Sequence, residues 1–160
     1  MVNSRLGPPP GVAGIVESPQ RKHCNKKECQ TCRSVQSDTA ISSVTLCQYK
    51  TPTMCKCTTM NVVYLLTCSV CQKQYVGETK RAFMIRYKEH MKDIEYKRDK
   101  PLAHHAQQHQ EVAATFTPQI LEVIRLNPEL DSTTTVRRKR EIHWIYTLRT
   151  LAPEGLNSLG

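Results

Sequence analysis

No stretch of this 160-residue sequence approaches the ~20 consecutive apolar residues that a membrane-spanning helix needs, so no such helix is expected. Residues Met1 to Gly14 lack the apolar core of a secretory signal, so secretion is not expected either. Nor is there an internal repeat, which excludes a solenoid or repeat array. Acidic residues are in short supply, with 14 Asp and Glu against 23 Lys and Arg and a net charge of +9. Packing residues are scarce in the first third of the chain. Residues 1–20 are rich in Gly and Pro and read as a disordered leader. Residues 21–57 contain few large apolar groups, so they are not expected to bury a core of their own.

Positive charge and cysteine are what the chain does have. Residues 1–57 hold 8 basic and 3 acidic residues and residues 58–160 hold 15 and 11, so the excess is spread along the chain. A broad positive surface favours a polyanionic partner, nucleic acid being the commonest; simple solubility is the plainer explanation. Of eight cysteines, six fall in residues 21–57: Cys24, Cys29, Cys32, Cys47, Cys55 and Cys57. Without a secretory signal, clustered thiols point to metal rather than disulfides, and a disulfide-rich structural protein is disfavoured. A structural metal would also organise a segment with little to bury. Cys24-x4-Cys29-x2-Cys32 supplies three thiolates, with Cys57, Cys47, Cys55 or His23 as candidates for a fourth ligand.

The texture changes at Asn61. Asn-Val-Val-Tyr-Leu-Leu-Thr and Lys-Gln-Tyr-Val-Gly-Glu-Thr both read as strands, joined by Cys68-Ser-Val-Cys71 as a hairpin turn carrying two thiols. Thr79 is placed to cap a helix from about Lys80 to Tyr96, with Phe83, Tyr87, Met91 and Ile94 at helical spacing. Pro101 suits the first turn of a short helix running from Leu102 to His109. A strand from Phe116 to Leu126 follows, and Asp131 to Thr135 would cap a last helix through Arg149. The order ββα-α-βα predicts a small α/β domain over residues 58–160.

Three constellations carry chemistry. Cys68-x2-Cys71 aims two sulfurs at one point, and His105-x3-His109 puts two imidazoles on one helical face. Two thiolates and two imidazoles make the closed tetrahedral shell of structural zinc. His104 is adjacent and competes with His105, which has the better helical phase with His109. The alternative is two buried free cysteines beside a solvated, His-rich helix. Glu141 shares a face with Trp144, Ile145 and Leu148, where a carboxylate needs a cation or an ion pair with Arg137, Arg138 or Arg140. Arg86 and His90, four apart, project a cation and a titratable ring in one direction, as a solvated helix face also would.

Together these pieces resemble the GIY-YIG endonuclease family. Val62-Val63-Tyr64 stands for its first tripeptide, with Val62 in place of Gly, and Tyr75-Val76-Gly77 for its second. Arg86, His90, Glu141 and Asn157 then fall in the family's order. The thiols between the tripeptides resemble the endonuclease domain of Penelope-like retroelements, as do Gln-Tyr-Val-Gly-Glu-Thr, Pro-Leu-Ala-His-His, Pro-Glu-Gly-Leu-Asn and the upstream Cys24 to Cys32 stretch. The likeness runs from about Cys24 to Asn157.

The resemblance implies a small GIY-YIG fold, a short and mainly antiparallel sheet flanked by helices, preceded by a zinc-stabilised Cys-rich segment. It implies a DNA endonuclease that nicks its target to prime integration, with zinc held by Cys68, Cys71, His105 and His109, and a second zinc at Cys24, Cys29, Cys32 and Cys57. One Mg²⁺ or Mn²⁺ would sit on Glu141. Tyr64 would be the general base, its phenolate favoured by the metal, His90 and Arg86. Arg86 would stabilise the phosphorane, Tyr75 would orient water or phosphate, Gly77 would admit close approach, and Asn157 would hold the tail near the site. The expected partners are DNA and an upstream reverse transcriptase, with no membrane and no small-molecule cofactor, and the expected location is the nucleus. In those elements a reverse transcriptase precedes the nuclease, so this chain resembles a C-terminal fragment or truncated copy. The alternative is a zinc-containing DNA-binding module without catalysis.

Overall fold

The computed structural model of the chain describes residues 24, 26–125 and 133–158. The leader expected over residues 1–20, His23, Leu126 and the start of the expected 131–135 cap lie outside the described residues.

Three short elements come first: helix α1 (Gln30–Val35) and strands β1 (Thr39–Ile41) and β2 (Gln48–Lys50), which pair antiparallel. The hairpin read from alternation follows as β3 (Val62–Cys68) and β4 (Gln74–Thr79), with Tyr64 opposite Gly77. Helices α2 (Phe83–Glu95) and α3 (Pro101–Gln108), strand β5 (Phe116–Val123) and helix α4 (Thr133–Leu148) complete the order. β5 pairs antiparallel with β3, giving a three-stranded sheet in the order β4-β3-β5, with a register shift at Val63/Tyr64. The architecture is a mixed α/β fold in which short antiparallel sheets are flanked by helices.

Strand alternation divides β3 between two cores. Val62, Tyr64, Leu66 and Cys68 face α2 and α3, where Phe83, Leu102 and Phe116 are buried against them. Val63 and Leu65 face the other way, toward Trp144, Ile145 and Leu148 of α4. Each large apolar side chain so buried contributes about 1.5–3 kcal/mol.

The structure corrects several sequence expectations. Helix α2 starts at Phe83 rather than Lys80, because Thr79 is the last residue of β4 and its hydroxyl accepts the Arg81 N–H instead of capping a helix. The first-turn donors of α2 go to main-chain carbonyls, Phe83 N–H to Thr59 and Met84 N–H to Cys57. Residues 21–57 form no separate core: Val35, Ala40 and Cys55 join the two cores built by the rest of the chain, which the sequence did not signal. Long-range bonds tie the segment down: the Ser42 hydroxyl donates to the Leu148 carbonyl, and the Gln119 amide donates to the Thr39 carbonyl. β5 ends at Val123, and α4 ends at Leu148 because Arg149 takes a left-handed φ of 57° while Thr150 N–H reaches back to Ile145 O. His109 is the C-cap of α3, just past its last turn.

Candidate functional site

Tyr64 lies on the central strand, with its ring fully buried against Phe83. Its hydroxyl nevertheless reaches toward the β4 edge of the sheet, because the opposite residue is Gly77. A Cβ built on Gly77 would fall on the Tyr64 hydroxyl and ring, so a side chain there is excluded by packing rather than by backbone angle. The hydroxyl lies 2.7 Å from Nε2 of the buried His90, one turn beyond Arg86 on α2. Tyr75, on β4, sets its ring edge-on to His90 at 5.5 Å.

Burial above all, and the neighbouring Tyr75, push the Tyr64 phenol far above its ordinary value, and the Arg86 charge offsets only part of this. These protein groups therefore hold Tyr64 as a neutral hydroxyl rather than favouring phenolate. Burial, with the Arg86 charge second, pulls His90 down to about 4, so near neutral pH its ring is uncharged and can accept the Tyr64 proton at Nε2.

Glu141 enters from the opposite side of the sheet. It is only half-buried, but it carries charge to the same edge and raises both tyrosines. The pairing with Arg137 or Arg140 that its sequence neighbourhood offers is not made. Arg137 is committed to Glu78 at 2.6 Å, and Arg140 to Glu122 at 2.8 Å. Burial first, then the Glu78 charge, push the Glu141 carboxyl above the usual carboxylate range. The charges of Arg138 and Arg86 offset only part of this, and a divalent cation on the carboxylate would lower it further.

Asn157 acts as a brace. Its side-chain amide imitates a peptide, accepting from Val76 N–H at 2.8 Å and donating to Val76 O at 2.9 Å. The Thr150 hydroxyl fills its remaining acceptor position at 2.7 Å. It secures β4, with both acceptor positions of its oxygen taken.

Two clusters of metal-ligating atoms are formed, each with its four donor atoms within 4.8 Å of one another. In one, Cys71 Sγ is 3.2 Å from His105 Nε2, Cys68 Sγ is 3.7 Å from His109 Nε2, and the two Nε2 atoms are 3.2 Å apart. A tetrahedral ion with Zn–N of ~2.0–2.1 Å and Zn–S of ~2.3 Å requires donor separations of roughly 3.3–3.8 Å, so the set fits such an ion. His104 is outside it, exposed and 2.9 Å from Asp99. The other cluster is Cys24, Cys29, Cys32 and Cys57, with Cys24 and Cys32 sulfurs 3.4 Å apart. The Cys32 N–H pulls the Cys29 thiol down to about 7, whereas burial pushes Cys32 and Cys57 up, so these three thiols do not ionise together unaided. Because the Cys57 carbonyl also caps α2, this cluster is tied to the helix bearing Arg86 and His90.

Sequence reasoning missed two supporting groups. Glu89 accepts two bonds from Arg81, at 2.8 and 2.7 Å, and one from Arg86 at 3.1 Å, so it holds Arg86 in place. Arg81's bonds hold its carboxyl down at about 2. The spacing Arg86-x2-Glu89 on one helical face was the available signal. Arg137, nearly fully buried, fixes Glu78 and also reaches Asn61 Oδ1 at 3.2 Å. That pairing spans 59 residues and has no local signal.

No family model matches this chain, and comparison with curated proteins finds no match. Two solved structures are similar to it. One is the catalytic domain of homing endonuclease I-TevI, at 26% identity and a TM-score of 0.48, covering 62% of this chain and 99% of that one. The other is a point mutant of the catalytic domain of intron endonuclease I-TevI, at 27% identity and a TM-score of 0.48, covering 61% and 91%.

Proposed function

We propose that the protein is a metal-dependent DNA endonuclease of the GIY-YIG type, which cuts one strand per encounter by phosphodiester hydrolysis. The carrying observation is the Tyr64 hydroxyl, passed over Gly77 to the sheet edge and hydrogen-bonded to the uncharged His90, with Arg86 and Glu141 beside it. Hydrolysis needs a water deprotonated and phosphate charge neutralised. The motif order read from the sequence supports the same chemistry.

As water attacks phosphorus, its proton passes to the Tyr64 oxygen while Tyr64 gives its own proton to His90 Nε2. The phenol thus acts as a relay and never has to exist as a free phenolate. An anionic phosphate entering beside Arg86 opposes the field that depresses His90 and so makes the ring a better acceptor. Arg86, steadied by Glu89, donates to the phosphoryl oxygens as their charge grows, and Tyr75 orients the phosphate at the rim. Mg²⁺ or Mn²⁺ bound at Glu141 would supply Lewis acidity at the phosphate and stabilise the leaving 3′ oxygen. Zinc in the Cys68, Cys71, His105, His109 set would have no open position, so its role is to clamp the hairpin turn to α3 and hold the strands bearing Tyr64 and Tyr75. A second zinc would take the four N-terminal thiolates.

Nicking to prime reverse transcription, beside a reverse transcriptase and in the nucleus, is the biological setting we infer from the sequence likeness to Penelope-like elements. The test is purified chain with supercoiled plasmid and Mg²⁺ or Mn²⁺. The native chain nicks, and Tyr64→Phe or Glu141→Ala lowers the rate by about 10²–10⁴ while still binding DNA. Retention of DNA by the native chain without nicking would instead support the non-catalytic binding module.

A further inference from the structure

In the run Arg137-Arg138-Lys139-Arg140, four cations divide by direction. Arg137 and Arg140 turn inward to Glu78 and Glu122. Arg138 and Lys139 turn outward, are exposed, and enter no ion pair among the described residues. Further along the same side stand Ile142 and Tyr146, 39% and 58% exposed, while Trp144, Ile145 and Leu148 take the buried side of α4. None of the exposed α4 residues is acidic. An ordinary solvated face mixes signs to limit self-repulsion; this one exposes Arg138, Lys139, Ile142, His143 and Tyr146 beyond its first-turn threonines, with no negative charge among them.

Residues 138, 142 and 146 repeat every four positions and form one row, with Lys139 alongside. At ~1.5 Å rise per residue the row is about 12 Å long. Phosphates along one DNA strand lie roughly 6–7 Å apart, about twice their ~3.4 Å advance along the duplex axis, so the row spans two to three of them. Glu141 lies one turn from Arg138 at the row's inner border. A strand held along the row would therefore run past the carboxylate assigned to chemistry.

We propose that the outward face of α4 is the docking surface for duplex DNA, with Arg138 and Lys139 taking successive phosphates of one strand and Tyr146 packing on the sugar-phosphate beyond them. This rests on the nuclease reading but adds a surface to it that no motif marks. Arg138 forks onto a phosphate, Lys139 acts as a point charge, and the Tyr146 hydroxyl, which makes no hydrogen bond among the described residues, donates to the backbone.

The test is fluorescence anisotropy of a labelled 25-base-pair duplex with the full chain in EDTA, titrated over salt, so that binding is read without cleavage. Arg138→Ala and Lys139→Ala should each reduce the slope of log K against log salt by about 1, and the double variant by about 2. Tyr146→Ala should weaken binding several-fold with the slope unchanged. Lys100→Ala, an exposed charge between α2 and α3, should leave both unchanged. A native slope in the double variant overturns the docking surface, as does an equal loss in Lys100→Ala, which would mean unspecific charge. Competition by polyglutamate as effective as by duplex would mean an acidic protein partner, and also overturns it. If the native chain nicks plasmid while the double variant binds normally, the docking surface falls and the nuclease reading stands. If the native chain neither binds nor nicks, both fall.

Discussion

The two faces of the three-stranded sheet are built from different materials. On the face covered by α2 and α3, an aromatic group around Tyr64, Phe83 and Tyr87 borders a Cys/His cluster with metal-site geometry. The face covered by α4 and the β1–β2 hairpin is aliphatic, with Trp144 and Tyr49 in edge contact and charges disposed of in ion pairs. The candidate site belongs to neither. It forms along β4, where Gly77 lets Tyr64 through from one face and Glu141 approaches from the other. Placing the acid and the hydroxyl on opposite faces lets each be positioned by its own packing, and the edge strand is where the two can meet.

Removing a thiol should test the division most strongly. Cys68→Ser is expected to abolish metal at the Cys68–His109 set and cost roughly 3–5 kcal/mol, read by metal content and thermal melting. Trp144, the single tryptophan, reports the α4 face alone. Its emission should keep its native position below the melting temperature; a shift in step with metal loss would make the two faces one cooperative unit and break the comparison.

Acid should separate the faces by sign. His90 is held near 4 when folded, against about 6.5 when unfolded, so the unfolded chain takes up a proton that the buried ring refuses. Stability should fall as pH drops from ~6.5 toward 4, by at most about 3 kcal/mol, and His90→Gln should flatten that fall. Glu141 is raised, so its contribution is full below the ordinary carboxylate value and is lost as pH rises through the folded one. Glu141→Gln should flatten the curve on that side, measured by urea unfolding at a series of pH values.

Gly77→Ala should cost about 1–3 kcal/mol by overpacking against Tyr64, with a disproportionate loss of nicking because the hydroxyl is displaced from His90. The smallest effect is expected from Arg81→Ala. Its ion pair with Glu89 is exposed, so stability should move by less than about 0.5 kcal/mol, while nicking falls several-fold as Arg86 loses its steadied partner.

What could be read in the sequence was whatever repeats locally. The hairpin from Val62 to Thr79, the helices carrying Arg86 and His105, and the Cys68–His109 spacing all follow from period and turn chemistry. What escaped depended on distant partners. The three-residue strands at Thr39 and Gln48 are too short to show alternation, and they are held by bonds such as Ser42 to Leu148, 106 residues apart. The start of α2 was misplaced because its caps are carbonyls of Cys57 and Thr59, which no local pattern announces. Glu141 forms no ion pair with Arg137 or Arg140 because Glu78 and Glu122 had claimed them, and only the charge of Arg138 reaches it from that run. The hydroxyl–imidazole contact at Tyr64 was implied only by resemblance, and the raised phenol had no local signal, since burial outweighs one arginine among the protein's own groups.

The Asn157 brace has a consequence for synthesis. Val76 must wait for a partner 81 residues downstream, so while the chain is being made β4 presents an unpaired margin. An open strand margin invites pairing with other chains. The two bonds to Val76 form only once Asn157 has been made, so the strand carrying Tyr75 and Gly77 keeps this part of its margin open while the residues between are synthesised.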